Sequence, residues 1–219
     1  MLLVSCFWNV SAQYNLSKRL GVQVSTMGIG IHSNFELTHN LELDANIYNL
    51  KHSKEAKVQN PSFVNPRPYI FGKKYDAVAL DLVVGKVVKL SEAKNSAPQL
   101  SISTQIGPSI AFLKPYYVYV QEADNPQFSP VLTPQTSEVI DNQDYILGSA
   151  DRFKGIDELE SEFGVAANIK FSAEWTDHNR TQGINLGIRA NHYFSDLDIL
   201  HQNDNRNFRG LFVGYFRGI

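Results

Sequence analysis

Apolar and polar residues alternate along most of this chain, and the alternating runs are long. Residues 99–112 are the clearest. Leu100, Ile102, Thr104, Ile106, Pro108, Ile110 and Phe112 take one parity; Gln99, Ser101, Ser103, Gln105, Gly107, Ser109 and Ala111 take the other. A period of two predicts a strand with one apolar face and one small, polar face. The same pattern recurs over 41–47, 76–90, 163–175 and 184–194, and a last strand is predicted over about 208–219. Near the start the phase changes. Leu20, Val22 and Val24 are even, whereas Met27, Ile29, Ile31, Phe35 and Leu37 are odd. A slip of one residue moves every side chain to the other face. Ser25-Thr26-Met27-Gly28 therefore reads as a tight turn between strands at roughly 16–25 and 28–37.

Eight strands follow, with no convincing amphipathic helix. A soluble sandwich also alternates, but its strands are commonly about 5–6 residues long. Here the runs are much longer, and the polar face carries Asp44, Asp81, Lys170 and Arg189 near mid-strand. Strands that cross a bilayer need about 9–11 residues, apolar outward and polar inward. The expected fold is all-β: an antiparallel, up-and-down transmembrane β-barrel of about eight strands, with a lipocalin-like soluble barrel as the alternative. After the second strand the connections alternate in length. Residues 38–40, 91–98 and 177–182 are short, whereas 51–68, 123–160 and 195–207 are longer. Short periplasmic turns and long external loops are the habit of outer-membrane barrels. Both termini then fall on the periplasmic side, and 51–68 and 123–160 are the two long external loops. They carry opposite charge bias, Lys51, Lys54, Lys57 and Arg67 against a more acidic partner, and are expected to meet over the outer mouth. Residues 151–160, "DRFKGIDELE", read as a short helix near the rim.

The stretch "GPSIAFLKPYYVYV" (107–120) holds two prolines inside a run of strand formers. Proline lacks a ladder donor and is confined to edges, strand starts and bulges. Pro108 is expected at an outward position with a bulge or a missing ladder bond, eased by Gly107. Lys114-Pro115 is expected near the outer rim, with Tyr116, Tyr117 and Tyr119 forming an interfacial girdle.

Composition changes this picture in three ways. Net charge is −2 over 219 residues with acids and bases interspersed, which excludes the basic face of a nucleic-acid binder. Residues 1–8 are almost wholly apolar, and Val10-Ser11-Ala12 fits a signal cleavage site. Residues 1–12 therefore read as a signal peptide, with the barrel domain over 13–219. The basic region that normally opens a signal is missing, as a start upstream of Met1 would produce. A lipobox at Leu3-Val4-Ser5-Cys6, with Cys6 lipidated, is the rival. Cleavage after Ala12 removes Cys6, the only cysteine, and leaves no disulfide or thiol chemistry.

Four stretches, "LKHSKEAKVQNP" (50–61), "YIFGK" (69–73), "GPSIAFLKPYY" (107–117) and "FKGIDE" (153–158), together with the "SAQ" that ends the leader, resemble a family of uncharacterised outer-membrane β-barrel proteins of Bacteroidota. The resemblance implies a barrel and an outer-membrane location. It supplies no catalytic residues. The ending "YFRGI" departs from the aromatic last residue usual in bacterial barrels.

Candidate chemistry is sparse. His32-Ser33, His52-Ser53 and Asp177-His178 are the adjacent pairs a rim-located hydrolase would use, but neighbours in a strand point to opposite faces. A solvated polar loop is the simpler account of the latter two. The histidines show no metal spacing, and no nucleotide or nucleophile-elbow motif is present. No catalytic, cofactor-binding or metal residue is assigned, and no binding residue can be named. The inward set, Arg19, Gln23, His32, Glu36, Glu42, Asp44, Asp81, Lys89, Lys170, Glu174 and Arg189, is expected to fill the lumen as an ion-pair network, because buried charges must pair. Three functions remain: a structural or binding barrel that presents its external loops to a ligand or to another envelope protein, a small porin, and a rim hydrolase. The first is favoured. Outer-membrane lipid is the expected surroundings, with no nucleic-acid partner and no cofactor.

Overall fold

The computed structural model describes residues 18–38, 40–61, 67–91, 98–121, 130–141, 145–177, 180–201 and 203–219. The leader, including Cys6, lies outside them. The described residues form thirteen strands. Eight long ones close into a barrel: β1 (Lys18–Ser25), β2 (Gly28–Thr38), β3 (Leu41–Leu50), β6 (Tyr75–Lys89), β7 (Gln99–Pro115), β11 (Glu160–Asp177), β12 (Arg180–Leu200) and β13 (Asn203–Gly218). Each pairs antiparallel with its sequence neighbour in the barrel, and β1 closes the ring on β13 with Val22 opposite Tyr215. The architecture is that of a transmembrane β-barrel, as the alternation predicts. The turn at 26–27 joins two strands, and Ser25 Oγ holds it by accepting from Met27 N at 3.2 Å and Gly28 N at 3.0 Å.

The barrel is inside out relative to a soluble domain. Leu20, Val22, Ile29, Ile31, Ile47, Leu82, Val84, Ile102, Ile106, Ile169, Ile184, Leu186, Ile188, Leu211 and Val213 all face outward and are exposed. The buried set of the same strands includes Gln23, His32, Asn46, Asp44, Asp81, Gln105, Lys170 and Arg189. Exposed apolar surface this continuous needs a partner phase, and a barrel leaves no open edge for water to solvate.

Pro108 faces outward. The ladder between β6 and β7 breaks after Asp81↔Ser109 and resumes at Val84↔Ile106 in the same register. The proline is thus absorbed by missing ladder pairs, without an inserted residue. Gly107 permits the close approach there: a Cβ would lie 2.0 Å from Leu82 O.

Two corrections concern the outer end. The expected loop 195–207 is instead the continuation of β12 and β13 into a protruding hairpin. Arg206 Nε and Nη2 donate to the two oxygens of Asp196, both at 2.7 Å. These bonds hold the Asp196 carboxyl below, and the Arg206 guanidinium above, their ordinary pKa values. The register slips between His192 and Leu197 and again before Leu200, so this arm bends over the mouth. Its inner edge meets the opposite wall: His201 N donates to Gly72 O at 2.7 Å, and Lys74 N to Ile199 O at 2.9 Å. Secondly, Tyr117 and Tyr119 belong to β8 (Tyr117–Val120), the central strand of a small sheet with β9 (Val131–Pro134) and β10 (Ile146–Ser149). Tyr116 is half-buried against the apolar cluster of that sheet. Phe112, Phe163 and Phe194 are the exposed aromatics at the outer end of the barrel wall.

Candidate functional site

The lumen is built in layers. Nearest the termini, Arg19 Nη1 donates to Glu174 at 2.8 Å and pairs with Glu36 at 3.5 Å, while its guanidinium lies over the Phe216 ring at 5.6 Å. Above it, Glu42 and Asp44 stand on one face of β3 and share three donors. Lys170 Nζ lies 2.6 Å from Asp44 and 3.0 Å from Glu42. Gln105 Nε2 donates to both, at 2.7 Å to Glu42 and 2.8 Å to Asp44. Asn34 Nδ2 also donates to both, at 2.7 Å to Glu42. The next layer is centred on Arg189, which donates to Asn168 at 3.2 Å and Asn46 at 2.9 Å and approaches Asp81 to 3.6 Å. Its guanidinium stacks over Tyr48 at 4.5 Å and Phe212 at 5.1 Å. Asp81 in turn accepts from Tyr48, Ser109 and Asn191 at 3.0, 2.6 and 2.9 Å.

Above Tyr48 and Tyr193 the interior turns apolar. Met27, Leu50, Ala77, Ala79, Ala111, Leu113, Leu197, Ile199 and Phe208 form a buried cluster across the outer end. Leu197 and Ile199 come from the inbent arm of β12. Small alanines on β6 and β7 face these large residues, which lets the plug close at native density. The expected ion-pair network is present among the charged residues apart from Lys89; Gln23 joins it by a hydrogen bond to Arg189, and His32 packs against Phe216 without an ion pair. Lys89 is exposed at the rim of β6, outside the network.

Outside the plug, residues 51–61 and 67–74 meet residues 116–121 and 145–152. β4 (Lys57–Val58) pairs with β5 (Tyr69–Ile70). Asn60 Nδ2 donates to Ile146 O at 3.1 Å, Ser149 Oγ donates to Pro68 O at 3.0 Å, and Arg67 lies 4.0 Å from Asp151. Tyr69, Val118 and Ile146 are buried together at their junction. The two long loops therefore do meet above the barrel wall, partly through opposite charge. Residues 62–66 of the first loop, and 122–129 and 142–144 at and within the second, lie outside the described residues.

Where they meet they leave a cleft of about 640 Å³ over the outer ends of β3, β6 and β7. Its wall carries Lys51, Lys57, Lys73, Lys114 and Arg152, the carboxylates of Glu55, Asp76 and Asp151, and the rings of Tyr116 and Tyr117. Lys73 Nζ is the floor. It is buried, lies 3.0 Å from both Glu55 and Asp76, and sits 5.7 Å above the Tyr116 ring. Burial pulls its pKa down, but the two carboxylates outweigh that and raise it above the ordinary lysine value. Burial also raises the Tyr116 hydroxyl, which accepts a hydrogen bond from Ile70 N at 3.1 Å. The cleft is charged in both senses, and its charged groups stand among apolar side chains such as Leu50, Ile70 and Val78.

The two adjacent pairs that lie wholly among the described residues, His32-Ser33 and His52-Ser53, do not form dyads. His32 points into the lumen against Phe216, whereas Ser33 faces outward. His52 Nδ1 accepts from Lys54 N at 3.2 Å, and Glu55 caps His52 N at 3.1 Å, a local turn. Asp177 ends β11, and His178 lies outside the described residues. The fold does bring one distant pair together: Ser137 Oγ lies 3.3 Å from His201 Nδ1. Ser137 opens a five-residue helix, α1 (Ser137–Asp141), and the contact is exposed; no sequence signal links positions so far apart. Among the described residues no group of three or more His, Cys, Asp or Glu is placed to hold a metal ion.

No family model matches the chain, and no curated protein matches it. Similar solved structures include Ail, the attachment invasion locus protein of Yersinia pestis, at 9% identity and a TM-score of 0.43, covering 93% of this chain and 96% of that one. Ail in complex with the heparin analogue sucrose octasulfate matches at 9% identity and 0.42 over the same shares, 93% and 96%. Neisserial surface protein A matches at 8% identity and 0.40, covering 93% of this chain and 94% of that chain. At such identities the likeness is one of fold.

Proposed function

We propose that this protein is an outer-membrane β-barrel with a binding role, and that the external cleft between its two long loops takes the ligand or partner. The observation that carries this is the contrast between the two ends of the interior. Among the described residues the lumen is filled by paired charges and closed at its outer end by apolar side chains, an arrangement that favours binding over conduction. The outer face instead holds a cleft lined by charged and apolar groups, between loops that are fastened to one another. Loops positioned by a rigid scaffold are where binding concentrates. The four stretches that resemble the Bacteroidota family converge there: 50–61 and 69–73 line it, 107–117 supplies Lys114, Tyr116 and Tyr117, and 153–158 adjoins Arg152. Tyrosines beside lysine and carboxylate make a wall of apolar and charged groups, as at the polar rim of a protein interface, and suit a segment of another envelope protein better than an apolar small molecule. The small-porin reading meets a lumen crowded with side chains, and among the described residues the hydrolase reading rests on the exposed Ser137–His201 contact alone.

The test is photo-crosslinking in native membranes from a probe at Lys57 or Arg152, with a control probe at Ile106 on the barrel wall. A discrete adduct from the cleft positions alone supports the proposal. Adducts of equal pattern from all three positions, or stepwise conductance in planar bilayers, would overturn it.

A further inference from the structure

The apolar surface does not end with the barrel wall. On β6 it runs outward from Leu90 to Val78, and on β11 from Trp175 to Phe163, whereas on β1 it covers only Leu20 to Val24 and on β13 only Leu211 to Tyr215. On the tall side it passes the last ladder pair, Glu160↔Leu113, and continues onto the turn that enters β11. There Phe153 is 80% exposed, Ile156 55% and Leu159 47%.

These side chains are displayed by a turn that is firmly held. Lys154 N donates to Asp151 O at 3.1 Å and Glu158 N to Gly155 O at 3.2 Å, closing a short 3-10 helix at Ile156–Glu158. Lys114 Nζ reaches from the rim to Lys154 O at 3.1 Å. Lys154 Nζ lies 5.6 Å over the Tyr117 ring, and Tyr117 OH donates to Glu158 at 2.7 Å. Gly155 adopts φ +81°, and a Cβ there would stand 2.9 Å from the same ring. The turn is thus tied to Lys114 at the rim and to Tyr117 of β8, and it holds Phe153, Ile156 and Leu159 exposed beside the equally exposed Arg152, Lys154, Asp157 and Glu158.

We propose that the turn 151–159 is an interfacial foot, with Phe153, Ile156 and Leu159 immersed in the outer-leaflet lipid at the boundary between headgroups and acyl chains. The occupant is lipid because Leu159 leads directly into β11, where Glu160 and Ser161 pair with Leu113 and Phe112 next to the outward Phe163 of the lipid-facing wall; the charges of the turn, Arg152 and Lys154 against Asp151, Asp157 and Glu158, select no headgroup sign. Elements that rest in the interface bury their apolar side about 5–10 Å into this boundary. The foot rests on the reading of the barrel as membrane-spanning. It fixes how the cleft, whose wall includes Arg152, stands over the bilayer.

The test is spin labelling of Phe153→Cys and Ile156→Cys in a Cys6→Ser background, in vesicles of phosphatidylethanolamine and phosphatidylglycerol. Ile106→Cys serves as the wall control and Val131→Cys, exposed on β9, as the aqueous one. Heat-dependent gel mobility confirms the barrel in each variant. Labels at 153 and 156 should relax more strongly with oxygen than with a water-soluble nickel chelate, as at 106, with the order reversed at 131. Nickel-dominated relaxation at 153 and 156, with oxygen-dominated relaxation at 106, would overturn the foot and leave the barrel standing. Nickel-dominated relaxation at 106 as well would overturn both.

Discussion

Lys170 Nζ lies 2.6 Å from Asp44 Oδ2 although the two residues are far apart in the chain, on β11 and β3 at opposite sides of the lumen. Both are buried, and Glu42 completes the cluster at 3.0 Å from the same ammonium. One cation thus holds two carboxylates on one strand face, with Gln105 and Asn34 bridging the pair.

Lys170→Met should therefore leave two facing carboxylates without a counter-charge. Removing one partner of a buried ion pair costs about 3–5 kcal/mol. Urea unfolding in detergent should show that loss, and Lys170→Met with Asp44→Asn should recover part of it. Equal stability of the single variant and the parent would contradict the assigned cluster.

The two faces of β7 should respond differently to arginine. Ile102 is exposed on the outer wall, and Ser103 is buried in the lumen. Ile102→Arg should lower stability in vesicles by about 2–4 kcal/mol if it lies near the bilayer midplane, and far less in detergent, where a micelle adapts to the charge. Ser103→Arg should be damaging in both media, because the lumen has no room for it. Equal tolerance at the two positions would contradict the assigned faces.

The cleft wall should loosen in acid through His52. Burial, then Lys54, lowers the folded pKa of His52 below the free value, with Glu55 opposing. A base with a depressed folded pKa favours the folded form above its unfolded pKa, about 6.5, and loses that contribution as pH falls through this window. Protonation also removes the Nδ1 acceptor of Lys54 N. The protection of amides over 51–61, taken relative to the intrinsic exchange rate at each pH, should fall between pH 7.5 and 5, and His52→Gln should flatten the response.

The topology is open to protease. Treatment of intact cells should cut within 51–68 or 123–160 and leave the barrel core whole. Since Asn60, Arg67 and Pro68 are tied to Ile146, Asp151 and Ser149, the nicked chain should still migrate as one species without heating. Cleavage only after the outer membrane is permeabilised would put the loops in the periplasm.

The alternation by itself determined the barrel. A period of two is local, and with Ile102 and Ser103 as neighbours it says which face meets lipid without any knowledge of pairing. The same logic placed Pro108 outward, found the turn at 26–27, and separated His32 from Ser33. What it could not supply was the pairing of charges: Lys170 chooses Asp44 and Glu42 because strand tilt and stagger bring β11 and β3 to one level, and stagger is a property of the closed ring. Nor did it reveal that β12 bends inward at Leu197 and Ile199. Those residues read as loop because the register slips there, and a slip breaks the periodicity that makes a strand visible. The cleft belongs to the same class. Lys73, Tyr116 and Arg152 are distant in sequence, and only the folding of two loops onto one another decides that they share a wall.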